Sequence, residues 1–181
     1  YEVIDNFLDK EYFDDLVTLF NNEDAFLALD ELQSVAAPPL PWYFGPYIAN
    51  LKEHKKNKLF YMTHMFYNNN APMSPYCDKL HPILDKLGGR CLIRIKANLY
   101  PNTEILHEHP MHTDYPFSHS GAILSLNTCD GYTKLKDGTK IDSVANRILL
   151  FDSSEEHCST TTTNVSARFN ININYIQEQI L

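Results

Sequence analysis

The sequence predicts a mainly β chain with flanking helices, an α+β architecture, and three observations carry that expectation. Two runs, Cys91 to Tyr100 and Arg168 to Tyr175, alternate apolar and polar residues with the two-residue period of a strand. Between them, Asp130-Gly131 and Asp137-Gly138 are turn signals, and Tyr132 to Lys136 pairs with Thr139 to Ile141 as a hairpin around the second. Ahead of both runs lie segments whose apolar residues recur at helical spacing. Short strands at this rhythm, preceded by helices, suit a jelly roll.

The 181 residues, 44% hydrophobic, fit one domain spanning 1–181, with helical support and loops over 1–89 and the jelly-roll core over 90–176. Tyr1 to Leu8 reads as a short entering strand, with Asp9 as the N-cap of a helix that presents Phe13, Leu16, Val17 and Phe20 on one face. A second helix is expected across Asp24 to Leu32, ending before the breaker Ala36-Ala37-Pro38-Pro39-Leu40-Pro41. Trp42 to Pro75 is rich in aromatics, Asn and Pro, and reads as a loop-rich stretch, either a substrate lid or a peripheral strand and loop packing on the core. Pro75 to Leu87 reads as a helix with Leu80, Ile83, Leu84 and Leu87 on one face and Gly88-Gly89 as its stop.

In the first alternating run Ile93, Ile95, Ala97 and Leu99 share one side, and Arg94, Lys96, Asn98 and Tyr100 the other. In the second, Phe169, Ile171, Ile173 and Tyr175 oppose Arg168, Asn170, Asn172 and Asn174. Ala122 to Leu126 and Arg147 to Phe151 read as buried strands, and Thr160 to Thr163 as a β-rich connection.

A formal charge of -8 argues against a nucleic-acid backbone as partner, and the one basic cluster, Lys52 to Lys58, reads as a solvated face. No apolar run reaches the length of a membrane span, and no stretch has the pattern of a secretory leader. Cys77, Cys91, Cys129 and Cys158 form no CxxC pair and read as free thiols, as expected in a reducing, cytoplasmic compartment.

Chemistry concentrates in His112-Thr113-Asp114. In an extended strand residues one apart point the same way, so this tripeptide offers two metal ligands in one step. His157, in Ser154-Glu155-Glu156-His157-Cys158, can supply a third if the chain returns beside the first strand. Two neutral imidazoles and one carboxylate on one side of a metal suit Fe(II) and leave positions open. An H-x-D tripeptide alone is weak evidence, and the later strand strengthens it. A strand buried on both faces would leave its polar row unpaired at about 1 to 3 kcal/mol per group, so that row needs water or a ligand. Arg168, at its head, offers a planar fork suited to a carboxylate.

Tyr100-Pro101, His112-Thr113-Asp114, Asn146 to Phe151, His157 and Arg168, in this order, resemble an iron(II)- and 2-oxoglutarate-dependent dioxygenase of the prolyl-4-hydroxylase-like branch. The resemblance covers about half the chain, residues 90 to 176. It implies a double-stranded β-helix, cupin-like, with His112, Asp114 and His157 binding Fe(II). It also implies that Arg168 pairs with the distal carboxylate of 2-oxoglutarate and that Tyr100 donates a hydrogen bond to it, with Asn98 and Asn172 as further pocket residues. O2 would be the second cosubstrate and ascorbate an accessory reductant. The implied reaction hydroxylates an unactivated C–H of a prolyl or amino-acid-like substrate, small molecule or peptide, releasing succinate and CO2. Many collagen-type prolyl hydroxylases carry Lys where this chain has Arg168, which favours the Arg-using members. Asp114 argues against a halogenase, in which a halide takes the carboxylate's place.

Two other readings stay open from the residues. His107 and His109 also share a face and could join His157 in a cupin-type metal site, although the expected nearby Glu is missing. A non-catalytic jelly-roll module could use the same polar rows to hold a sugar or a structural metal. His109 is alternatively a residue near the iron or the substrate, His119 a surface or loop residue, and His54, His64 and His81 structural or exposed. Substrate identity and oligomeric state are not readable from the sequence.

Overall fold

The computed structural model describes residues 1–20, 40–49, 58–89 and 91–177. The expected second helix, most of the Pro-rich breaker, His54 and all of the basic cluster except Lys58 lie outside them.

Two antiparallel sheets form the body. The larger contains β1 (Glu2–Ile4), β2 (Tyr43–Gly45), β3 (Tyr61–Asn68), β4 (Ala71–Pro72), β5 (Cys91–Pro101), β6 (Ser120–Ser125), β9 (Ile148–Asp152) and β11 (Ala167–Ile176). Its order is β1-β9-β6-β11-β5-β3-β2, with β4 paired to β3. The smaller sheet holds β7 (Tyr132–Leu135), β8 (Lys140–Asp142) and β10 (His157–Ser159), in the order β10-β7-β8. This crossing order, in which neighbours in the sheet are distant in sequence, is that of the expected jelly roll. The β7–β8 hairpin turns at Asp137-Gly138, where Gly138 takes φ +90°, a value glycine accepts without steric cost.

Alternation in β5 and β11 gives the larger sheet two unlike faces. Ile95, Ala97, Ile171 and Ile173 are fully buried on one, in a core with Ala122, Leu124, Ile148 and Phe66. Helices α1 (Lys10–Thr18) and α2 (His81–Leu87) cover that face with Phe13, Leu16, Ile83 and Leu87. Asp9 stands at the N-cap of α1, but its side chain makes no capping hydrogen bond. The helix expected over Pro75 to Leu87 is divided, a 3-10 turn at Cys77–Leu80 followed by α2. Pro82 explains the division, since it lacks the N–H needed to continue an existing helix and fits the first turn of a new one. Gly88 ends α2 in the left-handed conformation, at φ +62°.

Trp42 to Pro75 is not a loop throughout its described part: β3 is an eight-residue strand hydrogen-bonded to β5. A bulge between Met65 and Tyr67 breaks its period, and a buried histidine, His64, stands on its inner side, bonded to Pro41 O and Ser74 Oγ. Tyr1 to Leu8 is strand only over β1, and Asn146 secures its end at Leu8. At φ +63°, the Asn146 amide accepts from Leu8 N–H and donates to Leu8 O, at 2.9 and 2.8 Å. Asn146→Ala is expected to cost about 2 to 4 kcal/mol, from two orphaned backbone groups and a methyl in the left-handed region. Asn146→Gly should cost less because glycine takes that conformation freely; equal losses in urea melts would remove the conformational part of this account.

All four cysteines are unpaired. No helix among the described residues is long and apolar enough to cross a membrane.

Candidate metal centre

The other face of the larger sheet is a polar floor. Across β5 and β11, Arg168 pairs with Tyr100, Asn170 with Asn98, Asn172 with Lys96 and Asn174 with Arg94. Two polar rows that the sequence shows separately therefore become one surface. The smaller sheet lies over it, extended by the segment after β5: His112 and His157 exchange backbone hydrogen bonds, both 2.9 Å, and Glu108 bridges Thr160.

That pairing brings His112 and His157 side by side, ring centroids 4.7 Å apart, with Asp114 Oδ2 4.0 Å from His157 Nε2. One ligand atom from each of the three residues falls within 4.8 Å of the others, and this is the only group of its kind among the described residues. Small side-chain rotations would close these gaps around an ion with ligand bonds of about 2.1 Å.

The imidazole tautomers are set by the backbone. His112 Nδ1 stands 3.2 Å from Pro110 O and His157 Nδ1 3.0 Å from Glu155 O, each carbonyl two residues earlier. A carbonyl only accepts, so each Nδ1 carries a proton, and in the neutral ring it is Nε2 that keeps the lone pair. Burial, followed by the neighbouring His157, pushes the His112 pKa down to about 4, which keeps that ring neutral.

Asp114 is charged for different reasons. Burial alone would raise its pKa, but Arg94, Asn174, His157 and Ser153 hold it well below the usual carboxylate range. Arg94 donates to Oδ1 at 2.8 Å, and Ser153 Oγ, Asn174 Nδ2 and Asn172 Nδ2 donate to Oδ2 at 2.8, 2.9 and 3.2 Å. Two imidazoles oriented through Nδ1 and one fixed carboxylate are a donor set that fits a divalent transition metal.

Arg168 lies at the other end of the floor, 1% exposed. Its guanidinium donates to Thr133 Oγ1 at 3.0 Å and Thr160 O at 3.4 Å, its Nε has no partner, and no carboxylate among the described residues pairs with it. Burial lowers its pKa, yet a guanidinium does not lose its proton in a protein, so the charge stays. Tyr100 stands beneath it, ring centre 5.6 Å from Cζ, its hydroxyl pKa pushed up to about 12 chiefly by burial. Asn98 donates to Asn170 Oδ1 at 2.9 Å, and the Oδ1 atoms of Asn98 and Asn172 are buried without partners. Asn172 reaches Asp114, so it stands at the metal-ligand end of the row rather than beside Arg168. The remaining space, lined by Lys96, Tyr100, His112, Asp114, Thr133 and His157 among others, is about 30 Å³. That holds roughly one water, so a larger occupant enters as surrounding side chains rotate. A broader depression of about 830 Å³ near Tyr1, Lys86 and Tyr175 contains no comparable ligand cluster.

Several contributors escaped sequence reading. Arg94 and Asn174 were legible as members of a polar row, but their convergence on Asp114 depends on strand register. Tyr61, from β3, stacks on Tyr100 at 6.0 Å. His119, expected in a loop, is buried between Tyr115 and Phe117. The Asp130-Gly131 turn signal has another cause: a Cβ on Gly131 would come within 2.7 Å of both Arg168 Cδ and Thr161 O, so glycine there makes room for the arginine. The alternative histidine pair is not assembled as a metal site among the described residues. His109 is buried with Nδ1 2.8 Å from Ser159 Oγ, its pKa pushed down to about 3 by burial and Arg168.

No protein-family model matches the chain, and no curated protein does. Solved structures do. A prolyl-4-hydroxylase from Pseudomonas putida is 15% identical at TM-score 0.59, over 97% of this chain and 92% of that one. What the two share is the fold. A prolyl hydroxylase from Trichoplax adhaerens, in complex with a hypoxia inducible factor oxygen degradation domain peptide fragment, is 16% identical at TM-score 0.57, over 97% of this chain and 82% of that one. An oxidoreductase of the 2OG-Fe(II) oxygenase family from Burkholderia pseudomallei is 11% identical at TM-score 0.53, over 84% and 79%. The likeness is one of fold and agrees with the double-stranded β-helix expected from the sequence.

Proposed function

We propose that this chain is an Fe(II)- and 2-oxoglutarate-dependent dioxygenase that hydroxylates an unactivated C–H of a prolyl or amino-acid-like substrate, with release of succinate and CO2. One observation carries the reading: a His-Asp-His cluster with preset tautomers shares a polar floor with a buried arginine that has no carboxylate partner. Three solved oxygenases of the same fold support it.

In this reading His112, Asp114 and His157 hold Fe(II), and the bound iron supplies O2 activation coupled to decarboxylation of 2-oxoglutarate. Arg168 pairs with the distal carboxylate and Tyr100 donates its hydroxyl proton to it, a role suited to a phenol that burial keeps neutral. Asn98 and Asn172, with unpartnered Oδ1 atoms, border the same space. Arg94, Asn174 and Ser153 orient the Asp114 carboxylate. Packing of the smaller sheet against the polar floor excludes bulk water from the reacting centre. The unpaired cysteines suit a reducing compartment, with ascorbate as accessory reductant. One of the similar structures holds a peptide, which keeps peptides beside small molecules as substrates.

Anaerobic titration with Fe(II) and then 2-oxoglutarate tests the assignment. A visible metal-to-ligand charge-transfer band should develop in the wild type and be absent in His112→Ala. Iron binding without that band in the wild type would overturn the cosubstrate assignment.

A further inference from the structure

Lys96 has no role in the chemistry proposed above. Its place in β5, opposite Asn172, turns it to the polar floor, where it lines the cavity beside His112 and Asp114. It makes no hydrogen bond or ion pair among the described residues, and its Nζ stands 5.4 Å from the centroid of the Tyr61 ring. Arg94, two residues earlier in the same row, is by contrast tied to Asp114 at 2.8 Å.

Charge balance sharpens the question. Three cations, Arg94, Lys96 and Arg168, face one carboxylate, Asp114, on a chain whose formal charge is -8. A divalent metal would add two positive charges and a dicarboxylate cosubstrate would remove two. The local positive excess is therefore the same with both in place. A partly buried excess of this kind, with Arg168 fully buried and Arg94 and Lys96 half-buried, is unfavourable until another anion enters. Arg168 is far from the metal ligands along the row, whereas Lys96 is at their side. The cavity is narrow, and a single ammonium on a flexible stem suits one small anion as a point charge.

We propose that Lys96 binds a carboxylate of the primary substrate next to the metal ligands, so that the substrate is a carboxylic acid, such as a free amino acid or the C-terminal residue of a peptide. The proposal rests on the oxygenase reading and narrows its substrate class. An internal prolyl or other uncharged residue of a protein chain, which has no carboxylate, would leave the Lys96 charge unanswered. The Tyr61 ring lies beside the ammonium and stacks on Tyr100, so one aromatic side chain touches both ends of the row.

The test uses the full chain loaded anaerobically with Fe(II) and 2-oxoglutarate, and reads the perturbation of the charge-transfer band by added ligand. The probes are the common amino acids as free acids, the same compounds as primary amides, and their N-acetylated acids. At least one acid should bind about 10- to 100-fold more tightly than its amide, the size of one charge-assisted contact. Lys96→Met should erase that preference, and Lys96→Arg should restore part of it. Retention by the N-acetylated acid identifies a peptide C-terminus as the source and its loss a free amino acid; both outcomes support the carboxylate site. Absence of any acid-over-amide preference across the panel overturns the proposal. So does a loss of 2-oxoglutarate affinity of about tenfold or more in Lys96→Met, which would assign the ammonium to the cosubstrate. Failure of the wild type to develop the band at all would instead overturn the underlying oxygenase reading, and the two failures are thereby separable.

Discussion

Asp114→Asn is expected to weaken Fe(II) binding by more than about 100-fold and to abolish turnover, because loss of a mere supporting hydrogen bond already costs about 10- to 100-fold at a metal site. Asparagine keeps the size of the side chain but only one of its two acceptor oxygens, so either Arg94 or the Ser153 and Asn174 donors keep an acceptor, and the fold should survive at a cost below that of full truncation. Asp114→Ala should behave differently. The Arg94–Asp114 pair is 17% and 6% exposed, and breaking it leaves a largely desolvated guanidinium uncompensated, at about 3 to 5 kcal/mol. Because the Asp114 pKa is depressed in the folded protein, its stabilisation of the metal-free form is present above the unfolded value near 3.8 and is lost as pH falls below it towards the folded one. Iron titration followed by urea melts separates these effects. An asparagine variant that bound iron like the wild type would refute the ligand assignment.

Arg168→Met should lower 2-oxoglutarate affinity by about 100-fold or more, the equivalent of two charge-assisted hydrogen bonds. The same substitution should leave the unliganded protein as stable as before, or more so, since it removes a buried charge that has no carboxylate partner among the described residues. Thermal melts with and without 2-oxoglutarate read both quantities, because a ligand that binds only the folded state raises the midpoint in proportion to its affinity. Unchanged ligand stabilisation in the variant would remove Arg168 from the cosubstrate site. A large loss of stability without ligand would show that Thr133 and Thr160 already balance the charge.

Much of this was legible from period alone. The alternation of β5 and β11 told which residues face the core, and the one-residue spacing of His112 and Asp114 told that they share a side. Helix α2 and its stop at Gly88 came from spacing and glycine chemistry. What escaped was either non-local or disguised. The convergence of Arg94 and Asn174 on Asp114 is created by register between strands separated by most of the domain. The peripheral strand open as an alternative within Trp42 to Pro75 is β3, and its bounds were hidden because a bulge and a core histidine interrupt its pattern. Gly131 carries a turn-like signature in sequence, and only the close approach of Arg168 reveals its purpose.

The two-sided use of β11 constrains how this chain can vary. Each step along the strand hands one residue to the oily layer under the helices and the next to the polar floor, so substitutions can be absorbed singly. An inserted or deleted residue cannot: it would turn Arg168 towards the helices and Ile171 towards the metal ligands together. The pairing with β5 departs from strict register at one place, between Asn174 and Tyr175, just beyond the last side chain that touches Asp114. Length variation in this strand is thus confined to its far end, where a slip spares the site and is felt only in the packing of Tyr175.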